Sequence, residues 1–409
     1  MKALVVEKSL TKFGAAKVSS VFKDIVNPHF ALRLSQIPEK KRPNENWVEV
    51  EPILSGICGS DISMLTGNSS RALEEFVSFP FVPGHEIVGI RRDTNKRVVI
   101  EAVLGCRTRG LELCNNCSKG FIDNCLRLNE GDIKAGLQTG YCNSTSGGWS
   151  EQLLAHESQL HELPEDITNS DAVLIEPLAC AIHTVLRTPI LASDRVVVYG
   201  CGTLGLLTIS ALKSLINPKE IIAVAKYPLQ KEIALRFGAD QVVSPDRVGP
   251  SVRRLTRSTV IGGTLSSGSD VVFDCIASSS SIAECIKITR PKGSIVLAGM
   301  PGNVKIDLTF LWQREINLLG AYTYGNESID HLKIGVLDKQ SNLKPNSFDL
   351  AIELAPKLKV GTLLTHTYDL AHYKEALDIA LNSGSKGAIK VAFKPNLKQR
   401  LKTKKEEIN

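Results

Sequence analysis

No long hydrophobic run interrupts this chain. Apolar residues never continue for the roughly 18 positions that a membrane-spanning helix needs. Strong charge of either sign is missing as well. The formal net charge is +6 over 409 residues, and residues 394–409 supply +4 of it, with six Lys/Arg against two Glu. The body is therefore close to neutral, which argues against nucleic acid as a partner. The basic end, 394–409, reads as a solvated, frayed terminus. The opening MKALVVEK is strand-like and lacks the charged and apolar regions of a signal peptide. A cytoplasmic protein with no membrane partner is expected. A chain this long exceeds one ordinary core and predicts two domains.

What is present is cysteine, ten in all. Four fall in GCRTRGLELCNNCSKGFIDNC: Cys106, Cys114, Cys117 and Cys125. In a reducing compartment such clusters bind metal more often than they form disulfides. Cys114-x2-Cys117 is a two-thiolate clamp, with Cys106 and Cys125 each set seven residues away. Zinc accepts four thiolates in a tetrahedron, and a site closed in this way is structural. Gly110 and Gly120 suit a loop folded around an ion. The plainer account is four free thiols in a flexible loop.

A second set of metal-ligating types is scattered. Cys58 lies in SGICGSDISMLTG, His85 and Glu86 in FPFVPGHEIVG, and Glu176 in DAVLIEPLACAIHTVL. Singly, each has a plainer explanation: a small buried residue, a loop histidine, a carboxylate at a helix start. Together they offer what a catalytic zinc needs, about three protein ligands and one open position.

DRVVVYGCGTLGLLTISALKSL reads as a strand over 195–199, a glycine turn and an apolar helix. Gly200, Gly202 and Gly205 form G-x-G-x-x-G, with Thr203 and Leu204 between them. In this context the motif is a dinucleotide fingerprint: a tight turn, a close approach for the pyrophosphate, and tight helix–strand packing. The helix N-terminus adds N–H groups for the phosphates. Strands at EIIAVAKY, DVVFDCIA, GSIVLAGMPG and INLLGAYTYG alternate with helical stretches, which predicts a doubly wound parallel sheet. STVIGGTLSSGSD is expected to be a surface loop. Residues 1–187 show short strands and Gly/Pro turns, a β-rich pattern completed by 325–393. The sheet domain is placed at 188–324.

The order Cys-Gly-Ser-Asp, Gly-His-Glu, four-cysteine loop, Glu-Pro, G-x-G-x-x-G resembles the zinc-containing medium-chain dehydrogenase/reductase superfamily, closer to its polyol, sugar and threonine dehydrogenases. The resemblance spans about residues 1–393. It implies an α/β protein with a GroES-like catalytic domain, a Rossmann domain and an active-site zinc in the cleft between them. It implies Cys58 and His85 as zinc ligands, with Glu86 or Glu176 as a further ligand or as the holder of the bound water. Asp61 would orient the histidine, and Ser60 would pass on the substrate proton. The family's loop is C-x2-C-x2-C-x7-C, which would put its first cysteine at Leu111. Cys106 is expected to loop back across 108–110 and replace it. A histidine common beyond the serine is missing from CGSDISML, so the acceptor of the Ser60 proton is open.

The implied reaction is reversible hydride transfer between an alcohol and a nicotinamide cofactor, with two zinc ions per chain and a homodimer or homotetramer as the assembly. Where NAD-binding Rossmann domains place a ribose-binding acid, this chain has Ala225, followed by Lys226 and, further on, Lys231. That charge pattern favours NADP, with NAD as the alternative. The competing readings are a zinc-free quinone or enoyl reductase of the same superfamily and a non-catalytic cofactor-binding sensor.

Overall fold

The computed structural model describes residues 1–8, 31–327 and 346–396. The chain divides into two units, Met1–Glu176 with Ile352–Asn409, and Pro177–Ala351. Both crossings fall inside helices, Ile175–Leu186 and Ser347–Leu358. The division read from the sequence, at 187/188 and 324/325, differs at both, because no linker composition marks a boundary that a helix carries across. Residues 328–345, within the expected return segment, and 397–409 of the basic end lie outside the described residues.

The first unit is built on a seven-stranded sheet. Its order runs Leu364–Tyr368, Lys390–Phe393, Trp47–Gly56, Ile87–Arg91, Arg97–Ile100, Leu160–Glu162, and Leu153–His156 also pairs with Trp47–Gly56. All pairs are antiparallel except Leu364–Tyr368 with Lys390–Phe393. The ten-residue strand Trp47–Gly56 is the hub. Its far end matters for function: Gly56 lies opposite Ala392 and, through its N–H, bonds the Glu86 carbonyl at 2.9 Å. A side chain at Gly56 would overlap the Glu86 carboxylate. Trp149 locks this corner, donating its indole N–H to Gly56 O at 3.1 Å and packing edge-on against Phe393.

The second unit holds six parallel strands in the order Gln241–Val243, Glu220–Val224, Arg195–Tyr199, Ser269–Asp274, Thr289–Leu297, Asn317–Gly320. This order reverses at Arg195–Tyr199, as in doubly wound nucleotide-binding sheets. Parallel strands covered by helices read as continuous apolar runs; Val196, Val197 and Val198 are all fully buried. The stretch STVIGGTLSSGSD is not a plain loop. Val260–Ile261 pairs antiparallel with Thr264–Leu265 around Gly262 and Gly263, both at positive φ. Two successive left-handed residues make the tight hairpin turn that glycine permits.

Candidate active site and metal centres

Four thiols converge on one point. Ligand atoms of Cys106, Cys114, Cys117 and Cys125 all lie within 4.8 Å of one another, and all four residues are buried. The Cys106 and Cys125 sulfurs are 3.6 Å apart. Zn–S bonds of about 2.3 Å give a tetrahedral edge of roughly 3.8 Å, so the cage fits the ion. The N–H groups of Cys114, Leu126 and Arg127 donate to the sulfurs of Cys106, Cys114 and Cys125 at 3.3, 3.5 and 3.4 Å. Burial alone would raise the Cys114 thiol; the N–H groups of Leu126 and Cys117 outweigh it and lower the thiol to about 6.

The wide spacing before Cys114 has a local cause. Cys106 opens the short 3-10 turn Arg107–Arg109, Gly110 reverses the chain at φ +66, and Leu111 N–H returns to Cys106 O at 3.0 Å. Cys106 thus loops back across 108–110, while Leu111 packs against the thiol cluster. Arg109 holds the turn in place. Its guanidinium is fully buried and donates to the carbonyls of Leu104, Glu130, Ile133, Lys134 and Gly136 at 2.8–3.4 Å. Nothing in the sequence marked this arginine, which reads there as one more solvated base.

The second set forms around the start of helix Gly59–Leu65. Ligand atoms of Cys58, His85 and Glu86 fall within 4.8 Å of one another. Glu176 is outside that set, though its charge acts on His85. Asp61 ties the parts together. Its Oδ2 accepts the Cys58 N–H at 2.9 Å, and its Oδ1 lies 3.6 Å from His85 Nδ1. A carboxylate behind one ring nitrogen fixes which nitrogen faces a metal. Burial would depress the imidazole, but Asp61 and Cys58 outweigh it and hold His85 well above its ordinary value. A half-buried thiol beside a buried imidazole and a buried carboxylate suits a bound zinc.

Two residues enter this site that sequence reasoning missed. Lys390 Nζ lies 2.6 Å from both oxygens of Glu86 and 3.2 Å from Ile57 O, and it is buried. Glu86 therefore faces an ammonium as well as the metal position. Tyr141 approaches from the loop after the cysteines. Its hydroxyl donates to Ser60 Oγ at 3.2 Å or to Asp61 Oδ1 at 3.4 Å. Its ring packs against His85, with centroids 5.7 Å apart. Burial, then Asp61, push the phenol well above its usual value, so it keeps its proton.

The dinucleotide turn has the expected backbone. Gly200 sits at φ +100, and a Cβ at Gly205 would strike the Gly200 carbonyl. A Cβ at Gly202, the N-cap of helix Thr203–Leu215, would meet nothing within 4 Å. That open space above a helix N-terminus is where a pyrophosphate fits. Ala225 follows strand Glu220–Val224 and bonds Val243 O through its N–H at 2.9 Å. Lys226 is exposed, with its ammonium 5.4 Å from the Tyr227 ring centroid and no ion pair among the described residues. Lys231 has an anion nearby: Asp246 is held below the usual carboxylate range by Ser244 first, with Arg247 and Lys231 contributing.

Residues 44–165 match the alcohol dehydrogenase GroES-like domain family, and 203–334 match the zinc-binding dehydrogenase family. A sorbitol dehydrogenase of Halalkalibacterium halodurans is 26% identical over 372 residues, covering 90% of this chain and 96% of that protein. Among solved structures, an Escherichia coli alcohol dehydrogenase complexed with NADH superposes with a TM-score of 0.69 at 23% identity, covering 97% of this chain and 99% of that one. A Sinorhizobium meliloti zinc-binding dehydrogenase bound to NADP gives 0.64 at 23% identity, covering 89% and 95%.

Proposed function

The chain belongs to the zinc-containing medium-chain dehydrogenase/reductase superfamily, on its polyol dehydrogenase side, and from that premise we propose that it is a zinc-dependent dehydrogenase interconverting a polyol or sugar alcohol and its carbonyl with NADP. The observation that carries this reading is the convergence of half-buried Cys58 with buried His85 and Glu86 beside Ser60 and Asp61. Bound there, zinc would polarise the alcohol oxygen as a Lewis acid, while the nicotinamide would take the hydride.

The chain's own residues do the rest. Cys58 and His85 would hold the metal, with Asp61 orienting both. Glu86 lies in the converging set with its charge met by Lys390, which leaves Glu176, outside that set but acting on His85, as the carboxylate that would complete the ligands. Ser60 accepts the substrate proton. Tyr141 has one hydrogen; when it donates to Asp61 it accepts from Ser60. That chain from Ser60 through Tyr141 to Asp61 supplies a route for the proton where the family's histidine is missing. Cys106, Cys114, Cys117 and Cys125 would hold a second, structural zinc that takes no part in the chemistry.

None of the ten cysteines forms a disulfide, which supports a reducing, cytoplasmic setting. Among the described residues, no helix is long and apolar enough to cross a membrane. Among the described residues, strand Asn317–Gly320 ends its sheet with one edge unpaired, beside Trp312 at 78% exposure and exposed Leu308 and Leu318. An open edge with apolar neighbours supports pairing with a second copy, hence a homodimer or a larger homo-oligomer.

The test is an assay of polyols, aldoses, amino alcohols and simple alcohols with NADP and with NAD, read as reduced-nicotinamide absorbance. Zinc-dependent turnover of a polyol is expected. Turnover of a quinone or enone by zinc-free protein would restore the reductase reading, and no turnover with full cofactor binding would restore the sensor.

A further inference from the structure

A concavity of about 570 Å³ lies wholly within the second unit. That size is typical of small-molecule sites, at roughly 300–1,000 Å³. Its walls are one face of helix Val248–Thr256 from Gly249 to Arg254, the C-terminal half of helix Ser279–Ile288, and the hairpin around Gly263. In a parallel α/β sheet, helices run opposite to the strands. Helix C-termini therefore gather at the edge where strands begin, whereas the turn at 200–205 follows the end of strand Arg195–Tyr199. The end of the concavity lined by Arg257, Lys287 and Ile288 is therefore toward the opposite edge of the sheet from the dinucleotide turn.

Four cations line it: Arg253, Arg254, Arg257 and Lys287. Glu284 is the one carboxylate on the wall, and it is paired with Lys287 at 3.3 Å. Arg253 is positioned by its own Nε, which donates to Ser258 O at 3.2 Å. Arg254 and Arg257 make no ion pair among the described residues. The buried side chains of Leu265 and Ile288 supply apolar lining.

A base in the last turn of a helix offsets the helix dipole, and this accounts for Arg253, Arg254 and Lys287 taken singly. It does not account for Arg257. That residue has left the helix and holds φ 51, ψ 35, the left-handed cap position that glycine ordinarily fills. Its cationic side chain stands past the end of the helix and lines the cavity. Guanidinium forks match phosphate oxygens in geometry and charge.

We propose that this concavity is a binding site for a small phosphorylated metabolite bearing two phosphate charges, separate from the dinucleotide turn. The proposal does not depend on the polyol reading, because it is tested by binding. Inorganic pyrophosphate is titrated calorimetrically into the full zinc-loaded chain in 0.15 M salt, with and without saturating NADP. With NADP filling the dinucleotide turn, the expected result is one pyrophosphate site per chain with Kd below about 1 mM. Arg254→Ser with Arg257→Ser weakens it at least about tenfold, which is the loss of two charge-assisted contacts. Arg257→Gly is the second variant, since it removes the cation while relieving the backbone. It keeps or raises Tm and still weakens pyrophosphate severalfold. Lys226→Leu, at the dinucleotide end, leaves pyrophosphate affinity unchanged. No saturable heat, competition by NADP, equal affinity in both arginine variants, or preference for an RNA oligonucleotide over pyrophosphate would each overturn the proposal.

Discussion

Lys390 places its ammonium 2.6 Å from both carboxylate oxygens of Glu86, a residue 304 positions earlier, and both side chains are buried. The contact exists because strand Lys390–Phe393 pairs beside Gly56, where the absence of a side chain leaves room for the carboxylate. Burial would lower the Lys390 pKa, but Glu86 and Cys58 outweigh it and raise it, so the ammonium stays charged.

Removing one partner strands the other charge in the interior. Lys390→Met is expected to cost about 3–5 kcal/mol of stability. Glu86→Gln with Lys390→Met removes both charges and recovers much of that loss. Chemical unfolding of the metal-loaded variants reads this directly. If the double variant is no more stable than Lys390→Met, the pair is not the source of the effect. Zinc content adds a second reading: Glu176→Gln loses the catalytic zinc, and Glu86→Gln retains it.

Tyr141 gives a prediction that a purely structural role would not satisfy. Tyr141→Phe keeps the ring against His85 and removes only the hydroxyl. Alcohol oxidation falls by about tenfold or more, in line with losing one proton-transfer partner. Cofactor affinity and Tm stay near their starting values. Ser60→Ala has a similar effect, and the double variant is no slower than the worse single one, since both break one chain. Additive losses would show that the two hydroxyls act separately.

The cysteine cage predicts a shared fate for residues far apart in the loop. Cys106→Ser and Cys114→Ser each lower zinc from two ions per chain to one, measured by elemental analysis. Both lose stability, because a closed zinc site contributes folding energy. Arg109→Met acts on the same turn without touching the metal. It leaves five carbonyls, those of buried Leu104, Ile133 and Gly136 among them, short of a donor and costs about 3 kcal/mol. A Cys106→Ser protein that still holds two zinc ions would remove Cys106 from the site.

How much of this was legible in the sequence depended on range. The turn at 200–205 was legible because its demands are local: Gly200 must reach φ +100, and Gly205 must leave space for the Gly200 carbonyl. The clamp Cys114-x2-Cys117 was legible for the same reason. Cys106 could be placed because a sulfur was needed and only a turn separated it from the gap. Lys390 and Tyr141 were not legible. A lone lysine in a strand and a lone tyrosine in a loop carry no spacing signal, and sheet pairing brings them to the site. Arg109 was hidden differently, since its partners are backbone carbonyls that any residue provides. The domain boundaries were displaced because helices, and not Gly/Pro linkers, cross them.

Cofactor choice rests on the two residues after strand Glu220–Val224. Ala225 presents no carboxylate to hold a ribose 2′-hydroxyl or to repel a 2′-phosphate. Lys226 is exposed, lies beside the Tyr227 ring and has no ion pair among the described residues, so its charge is available to a phosphate. Lys231 is the weaker candidate, because it shares its surroundings with Asp246. The wild-type chain is therefore expected to show higher kcat/KM with NADP than with NAD. Ala225→Asp with Lys226→Leu reverses the order, while Lys231→Leu alone changes it little. The loss with NADP should also shrink as salt rises, since an exposed lysine–phosphate attraction is screened over about 8–10 Å. A wild-type preference for NAD would make Lys226 a bystander and leave Ala225 as a position that merely weakens the hold on the ribose.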